Sequence, residues 1–208
     1  MTLLQGLDYA AVFIFGLTGA LAASRAQLDL VGFMFIACLT AVGGGTVRDV
    51  ILNRDQVFWV ADPGMILSAC IAALFVFLTA HLLESRLRAL EWLDALALAV
   101  AVPAGVGAAL TLEQSWSIVL ISGMITATLG GLARDVVCNE MPLVLKKGEL
   151  YATAALAGGA AALGALTLDL SQPVALLACA GVTFVLRAGS MLFGWHLPVY
   201  KSRPPKAR

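Results

Sequence analysis

The 208-residue chain is 61% hydrophobic and only 12% charged, with a formal net charge of zero, and its mean hydropathy is +0.93. A soluble domain carries about a quarter of its residues as charges, so this composition excludes one and points to an integral membrane protein. The long apolar runs also exclude a transmembrane β-barrel, whose strands of about ten residues alternate polar and apolar side chains.

A helix that crosses the hydrocarbon core needs roughly 20 residues. Seven apolar runs of about that length follow one another: 7–23, 29–52, 64–83, 93–110, 116–138, 149–167 and 173–194. The fold class expected is therefore an all-α integral membrane protein with seven transmembrane helices. Span 1 ends in Ala-Leu-Ala-Ala-Ser, which resembles a cleavage site. Residues 1–8, however, hold no Lys or Arg and include Asp8, so the positive flank of a signal peptide is missing and the span is read as retained. Between the spans lie polar and turn-forming residues, and Trp59, Trp92, Trp116 and Trp195 fall near span ends, where an aromatic belt would place them.

Counting Lys and Arg in alternate loops sets the expected orientation. With the N-terminus outside, the inner loops and tail hold Arg25, Arg86, Arg88, Lys146, Lys147, Lys201, Arg203, Lys206 and Arg208, and the outer loops hold only Arg54. That bias places the C-terminus in the cytoplasm of a cell whose inner membrane the protein crosses. Residues 1–200 form one transmembrane domain, and 201–208 form a basic, proline-containing tail suited to an anionic lipid surface.

One motif occurs twice. Residues 40–53 read TAVGGGTVRDVILN and residues 126–139 read TATLGGLARDVVCN, identical at eight of fourteen positions with a constant offset of 86. At the same offset Asp8 aligns with Asp94 and Gly19 with Gly105. Repeat one covers about 7–83, repeat two about 93–167, and the span at about 173–194 is an addition. Three spans per unit is an odd number, so the second copy enters the membrane from the opposite side, giving an inverted repeat.

The residues singled out are Thr40, Gly43, Gly44, Gly45, Arg48 and Asp49 in span 2, with Thr126, Gly130, Gly131, Arg134 and Asp135 in span 5. Adjacent glycines weaken a helix by about 1 kcal/mol each relative to alanine and permit a kink or break. The freed carbonyls are tolerated only against protein or a water-filled cavity, where they can coordinate a cation. Equally, glycine pairs let two helices approach closely, and Arg48 near its span end can snorkel. A charge inside the membrane costs about 2.5–3.5 kcal/mol on insertion scales and marks a pathway more often than not. Neighbours in a helix point apart, so each arginine is expected to pair with an aspartate of another element rather than with the next residue. Pro103 is expected to kink span 4, and Arg187 is read as a structural pair or a snorkelling arginine. Cys38, Cys70, Cys138 and Cys179 are single and are read as packing residues.

Seven helices as three plus three inverted plus one, with a glycine-rich stretch leading to Arg-Asp in spans 2 and 5, resemble the prokaryotic trimeric intracellular cation (TRIC) channels. The same sequences are also grouped under a glycine-transporter-like name. The resemblance implies a homotrimer in membrane lipid, with a potassium-permeable pore in each protomer lined by kinked, glycine-broken helices 2 and 5. Leu129 stands where the first glycine of the second copy would be. Apart from a permeant potassium or sodium ion, neither a cofactor nor a nucleic-acid partner is implied, and no enzymatic constellation is present. A secondary transporter of a small zwitterion such as glycine remains the alternative, with an arginine holding the carboxylate.

Overall fold

A computed structural model describes residues 2–83, 85–146 and 149–198. Its helices are α1 (Leu3–Arg25), α2 (Leu30–Ile51), the short α3 (Phe58–Ala61), α4 (Gly64–Thr79, continued by a 3₁₀ turn at Ala80–Leu82), α5 (Arg86–Thr111), α6 (Trp116–Val137), α7 (Ala152–Thr167) and α8 (Gln172–Phe193). The seven expected spans are α1, α2, α4, α5, α6, α7 and α8. Among the described residues, six helical stretches are long and apolar enough to cross a bilayer. At 1.5 Å per residue the sixteen-residue α7 reaches only about 24 Å, the same length as α4 without its 3₁₀ turn. The basic tail 201–208 and Lys147 lie outside the described residues.

The helix ends explain why α1 and α5 begin ahead of their apolar runs. The hydroxyl of Thr2 accepts from the Gln5 amide at 3.2 Å while the Gln5 side chain accepts from the Thr2 amide at 2.9 Å, a capping box that starts α1 at Leu3, ahead of the apolar run at 7. Ser85 caps α5 in the simpler way, accepting from the Arg88 amide at 3.3 Å. At the other ends Gln27, Asn53, Glu113 and Asn139 take left-handed φ values of 55°, 50°, 51° and 55°. The next amide in each case donates back into the helix, from Leu28, Arg54, Gln114 and Glu140 to the carbonyls of Ala23, Asp49, Ala109 and Asp135. These are Schellman-type closures, and they fall in two pairs at the repeat offset, so the repeat extends to the backbone of the turns.

Packing repeats as well. α1 packs on α2 and α4, and α5 packs on α6 and α7; α2 meets α4 as α6 meets α7. The two units join through like-with-like pairs, α1 on α5 and α2 on α6, and α8 covers α5 and α7. At the α2–α6 crossing a Cβ on Gly44 would run into the carbonyl oxygen of Thr126, and a Cβ on Gly130 into that of Thr40. That reciprocity is the signature of a two-fold axis through the crossing. A second pair of contacts repeats within each unit: Gly19 of α1 lies against Ile36 and Thr40 of α2, with a Cβ meeting them at 2.7 Å, and Gly105 of α5 lies against Ser122 and Thr126 of α6 at 2.5–2.6 Å.

This corrects one expectation. Helices 2 and 5 are not broken at their glycines: α2 is helical throughout Leu30–Ile51 and α6 throughout Trp116–Val137. α5 likewise passes through Pro103 without interruption. The glycines serve close approach of two helices, and the dispersion gained by backbone-to-backbone contact offsets their low helix propensity. The helices therefore release no run of carbonyls for ion coordination.

Candidate functional site: two arginine clusters on opposite faces

Near the end of α2 the guanidinium of Arg48 is 1% exposed and is held by two carboxylates. Its Nε donates to Asp49 Oδ1 at 2.8 Å and its Nη1 to Asp8 Oδ1 of α1 at 3.2 Å. Asp49 is held in turn: its Oδ1 also accepts from Arg54 Nη1 at 3.2 Å and its Oδ2 from the amide of Phe58, the first residue of α3, at 2.8 Å. The Phe58 ring lies 5.3 Å from the Arg48 guanidinium carbon, and Gly45 leaves the room it fills.

The second cluster repeats this wiring near the end of α6. Arg134 Nε donates to Asp135 Oδ1 at 2.7 Å and Nη1 to Asp94 Oδ1 of α5 at 3.0 Å. Asp135 Oδ2 accepts from the amide of Leu143, which opens the 3₁₀ turn Leu143–Leu145, at 2.8 Å. Two partners are new. Thr18 of α1 accepts from Arg134 Nη1 at 3.0 Å, and Tyr151 donates to Asp94 Oδ2 at 2.6 Å. Arg134 and Asp94 are both fully buried.

Each cluster adjoins a cavity, and the two cavities lie at opposite ends of the bundle. Asp8 lines one of about 200 Å³ with Thr2, Gln5, Arg54 and Thr111. Asp135 lines the other, of about 260 Å³, with Arg25, Glu140 and Lys146. Their walls come mainly from the ends of α1 and α5 and from the loops after α2 and α6. Between them the glycine crossing of α2 and α6 is closed, and Thr40 and Thr126 are buried with their hydroxyls donating to the carbonyls of Ile36 and Ser122 in their own helices, both at 2.7 Å.

Electrostatically each arginine is neutralised. In the second cluster one guanidinium faces two carboxylates, a net negative charge; in the first, Arg54 at the rim restores neutrality. One nitrogen of each guanidinium, Nη2 of Arg48 and of Arg134, has no hydrogen-bond partner among the described residues.

A family model described as "Glycine transporter" matches the chain twice, at residues 5–81 and 91–167. The chain is 37% identical over 201 residues to a UPF0126 membrane protein of Vibrio cholerae, covering 94% of this chain and 81% of that protein. It is 35% identical over 200 residues to the UPF0126 inner membrane protein YadS of Escherichia coli, covering 94% of each. Among solved structures, the TRIC trimeric intracellular cation channel orthologue from Rhodobacter sphaeroides superposes with a TM-score of 0.90 at 39% identity, covering 93% of this chain and all of that one. A prokaryotic TRIC channel crystallised in 0.5 M KCl superposes at 0.85 with 26% identity, covering 93% of this chain and 98% of that one. The chain belongs to the TRIC family.

In this TRIC chain the tertiary structure sorts the eleven residues singled out from the sequence. Arg48, Asp49, Arg134 and Asp135 form the two clusters; Gly44 and Gly130 form the crossing, with Gly43 beside it. Gly45 makes room for Phe58, a Cβ on Gly131 would meet Tyr151 only at an ordinary contact distance of 3.4 Å, and Thr40 and Thr126 are turned to their own helices. Each arginine does pair with an aspartate of another helix, Asp8 or Asp94, and it pairs with the aspartate next to it as well. Although adjacent residues project about 100° apart, the long Arg side chain folds back so that its Nε reaches the neighbouring carboxylate while Nη1 spans to the other helix. Asp8 and Asp94 were the omission from the site. Each is the one acid within its apolar run and the two align at the repeat offset, so the signal was present. Thr18 and Tyr151 gave none, since their counterparts at that offset are Ala104 and Met65.

Proposed function

We propose that the protein is a potassium-permeable cation channel of the inner membrane, a homotrimer with a separate pathway in each protomer. The observation that carries this reading is the double carboxylate clamp on each buried arginine, Asp8 with Asp49 and Asp94 with Asp135, beside cavities at the two ends of the bundle. An isolated buried arginine would repel a cation by roughly 4 kcal/mol at 4 Å and an effective dielectric of 20. Two carboxylates cancel that repulsion and leave the route neutral or negative. The pathway runs between the cavities past Asp8, Arg48, the Thr40–Gly44 and Thr126–Gly130 crossing, Arg134 and Asp135, and conduction requires α2 and α6 to separate at the glycines. The solved relatives support the reading, one named a trimeric intracellular cation channel and another described for conductance through TRIC cation channels.

Recording from the purified protein in a planar bilayer tests this directly. Discrete current steps carried by potassium are expected; saturable glycine flux without steps would replace the reading with a carrier. The carrier draws support from the unpartnered Nη2 of each arginine, a ready donor for a carboxylate. Orientation follows from the loop charges, so a reporter fused to the C-terminus should be active only in the cytoplasm. A cysteine at Asp8 is expected to react with a cationic thiol reagent from outside, and one at Thr40 only while the channel conducts.

A further inference from the structure

A third buried arginine stands outside this pathway. Arg187 of α8 is fully buried, and its Nη1 donates to Glu149 Oε2 at 2.7 Å. Its Nε and Nη2 have no acceptor among the described residues. Leaving two such donors unmet in a buried guanidinium costs the desolvation of a charged group, which favours any ligand that brings acceptors. Arg187 borders a cavity of about 450 Å³ whose wall also includes Arg88, Glu91, Trp92, Ser190 and Leu192. Its volume lies within the range of small-ligand sites.

We propose that this cavity holds the phosphodiester headgroup of a membrane phospholipid, with Arg187 at its floor and Arg88 at its mouth. The chemistry follows from the lining. Arginine presents a planar fork of N–H donors that matches phosphate oxygens, and Arg88 is exposed in the first turn of α5. The two glutamates are already engaged: Glu91 accepts from Lys146 at 2.7 Å and Glu149 from Arg187. They neutralise part of the positive charge, so the cavity suits a singly charged phosphodiester and disfavours a headgroup bearing several phosphates. The apolar half follows from position. The cavity lies where α8 ends and α5 begins, and Leu192 in its wall and Phe193 next to it are 62% and 72% exposed, a surface for the acyl chains.

The proposal is independent of the channel reading, and its test does not use ion flux. Delipidated protein in detergent is titrated with phosphatidylglycerol, with diacylglycerol, which lacks the phosphate, and with inorganic phosphate, while the thermal unfolding midpoint is followed. Phosphatidylglycerol is expected to raise the midpoint and diacylglycerol is not. Arg88→Gln, a change at an exposed position, should weaken the phosphatidylglycerol response roughly tenfold. Arg187→Lys should weaken it as well by removing the fork. Equal responses to the two lipids, or an Arg88→Gln protein that titrates like the wild type, would overturn the proposal. So would inorganic phosphate reproducing the Arg88-dependent shift while phosphatidylglycerol does not exceed diacylglycerol, because the site would then take the free anion.

Discussion

The Arg48 and Arg134 clusters use the same three-part wiring, an arginine tied to its neighbouring aspartate, to an aspartate one helix away, and through the former to the amide that opens the next loop. They differ in what surrounds the second aspartate. Asp8 keeps part of its side chain in a cavity, and an aromatic ring, Phe58, lies by the arginine. Asp94 is sealed: Tyr151 donates to its free oxygen, and Thr18, contributed by the other repeat, accepts from Arg134. A motif duplicated in sequence thus yields one distal aspartate that meets a cavity and one that does not. At Asp8 water can stand in for a lost partner; at Asp94 it cannot.

The comparison breaks most sharply on the distal aspartates. Asp94→Ala should destabilise the folded protein by roughly 3 kcal/mol, because it takes a charge-assisted hydrogen bond from the buried Arg134 and leaves the Tyr151 hydroxyl without its acceptor, and Asp8→Ala by roughly 1 kcal/mol, as for an ion pair that water can replace. Denaturant unfolding in detergent measures both, and equal losses would remove the distinction. Adding Arg134→Met to Asp94→Leu should not recover the loss, since Asp135, paired with Arg134 at 2.7 Å, would then be the stranded charge.

Where the halves are equivalent, substitutions should act equally. Gly44→Ala and Gly130→Ala each drive a methyl into a carbonyl oxygen across the crossing and should cost about 1–3 kcal/mol as overpacking does. Gly43→Ala meets only Gly130 Cα, at 3.5 Å, so its gain in helix propensity, up to about 1 kcal/mol, should leave it neutral or stabilised. Unfolding midpoints of the three variants decide whether the crossing is symmetric.

Tyr151→Phe removes a hydrogen bond to a carboxylate that has no equivalent in the first half, an expected loss of about 1.5–3 kcal/mol when the acceptor is charged. The same measurement reads it, with potassium current recorded in parallel to see whether freeing Asp94 changes conduction. The smallest effect on stability belongs to Arg54→Gln, under about 1 kcal/mol for an ion pair with one exposed partner. Its signature is electrical: with the rim charge gone, potassium current at low salt should rise, and the difference should shrink at 1 M salt, where the Debye length is about 3 Å.

How much of this was legible in advance depends on which interaction is asked about. Membrane class, the seven spans and the duplicated unit follow from the sequence alone, because hydropathy, span length and a fixed offset are properties of the chain and need no neighbour. Arg48, Asp49, Arg134 and Asp135 could be singled out for the same reason: a charge in an apolar run is costly wherever the run packs. What the glycines do could not be settled there, since a residue without a side chain both weakens a helix and admits a neighbour. Only the crossing of α2 on α6, with Gly44 on Thr126 and Gly130 on Thr40, decided for contact. The partners of each arginine were likewise a tertiary matter, because they depend on where α1 and α5 pass and on Thr18 and Tyr151, which carry no trace of the repeat. A duplicated sequence can specify duplicated wiring, but burial is a property of everything around it, and that is why Asp8 reaches a cavity and Asp94 is closed.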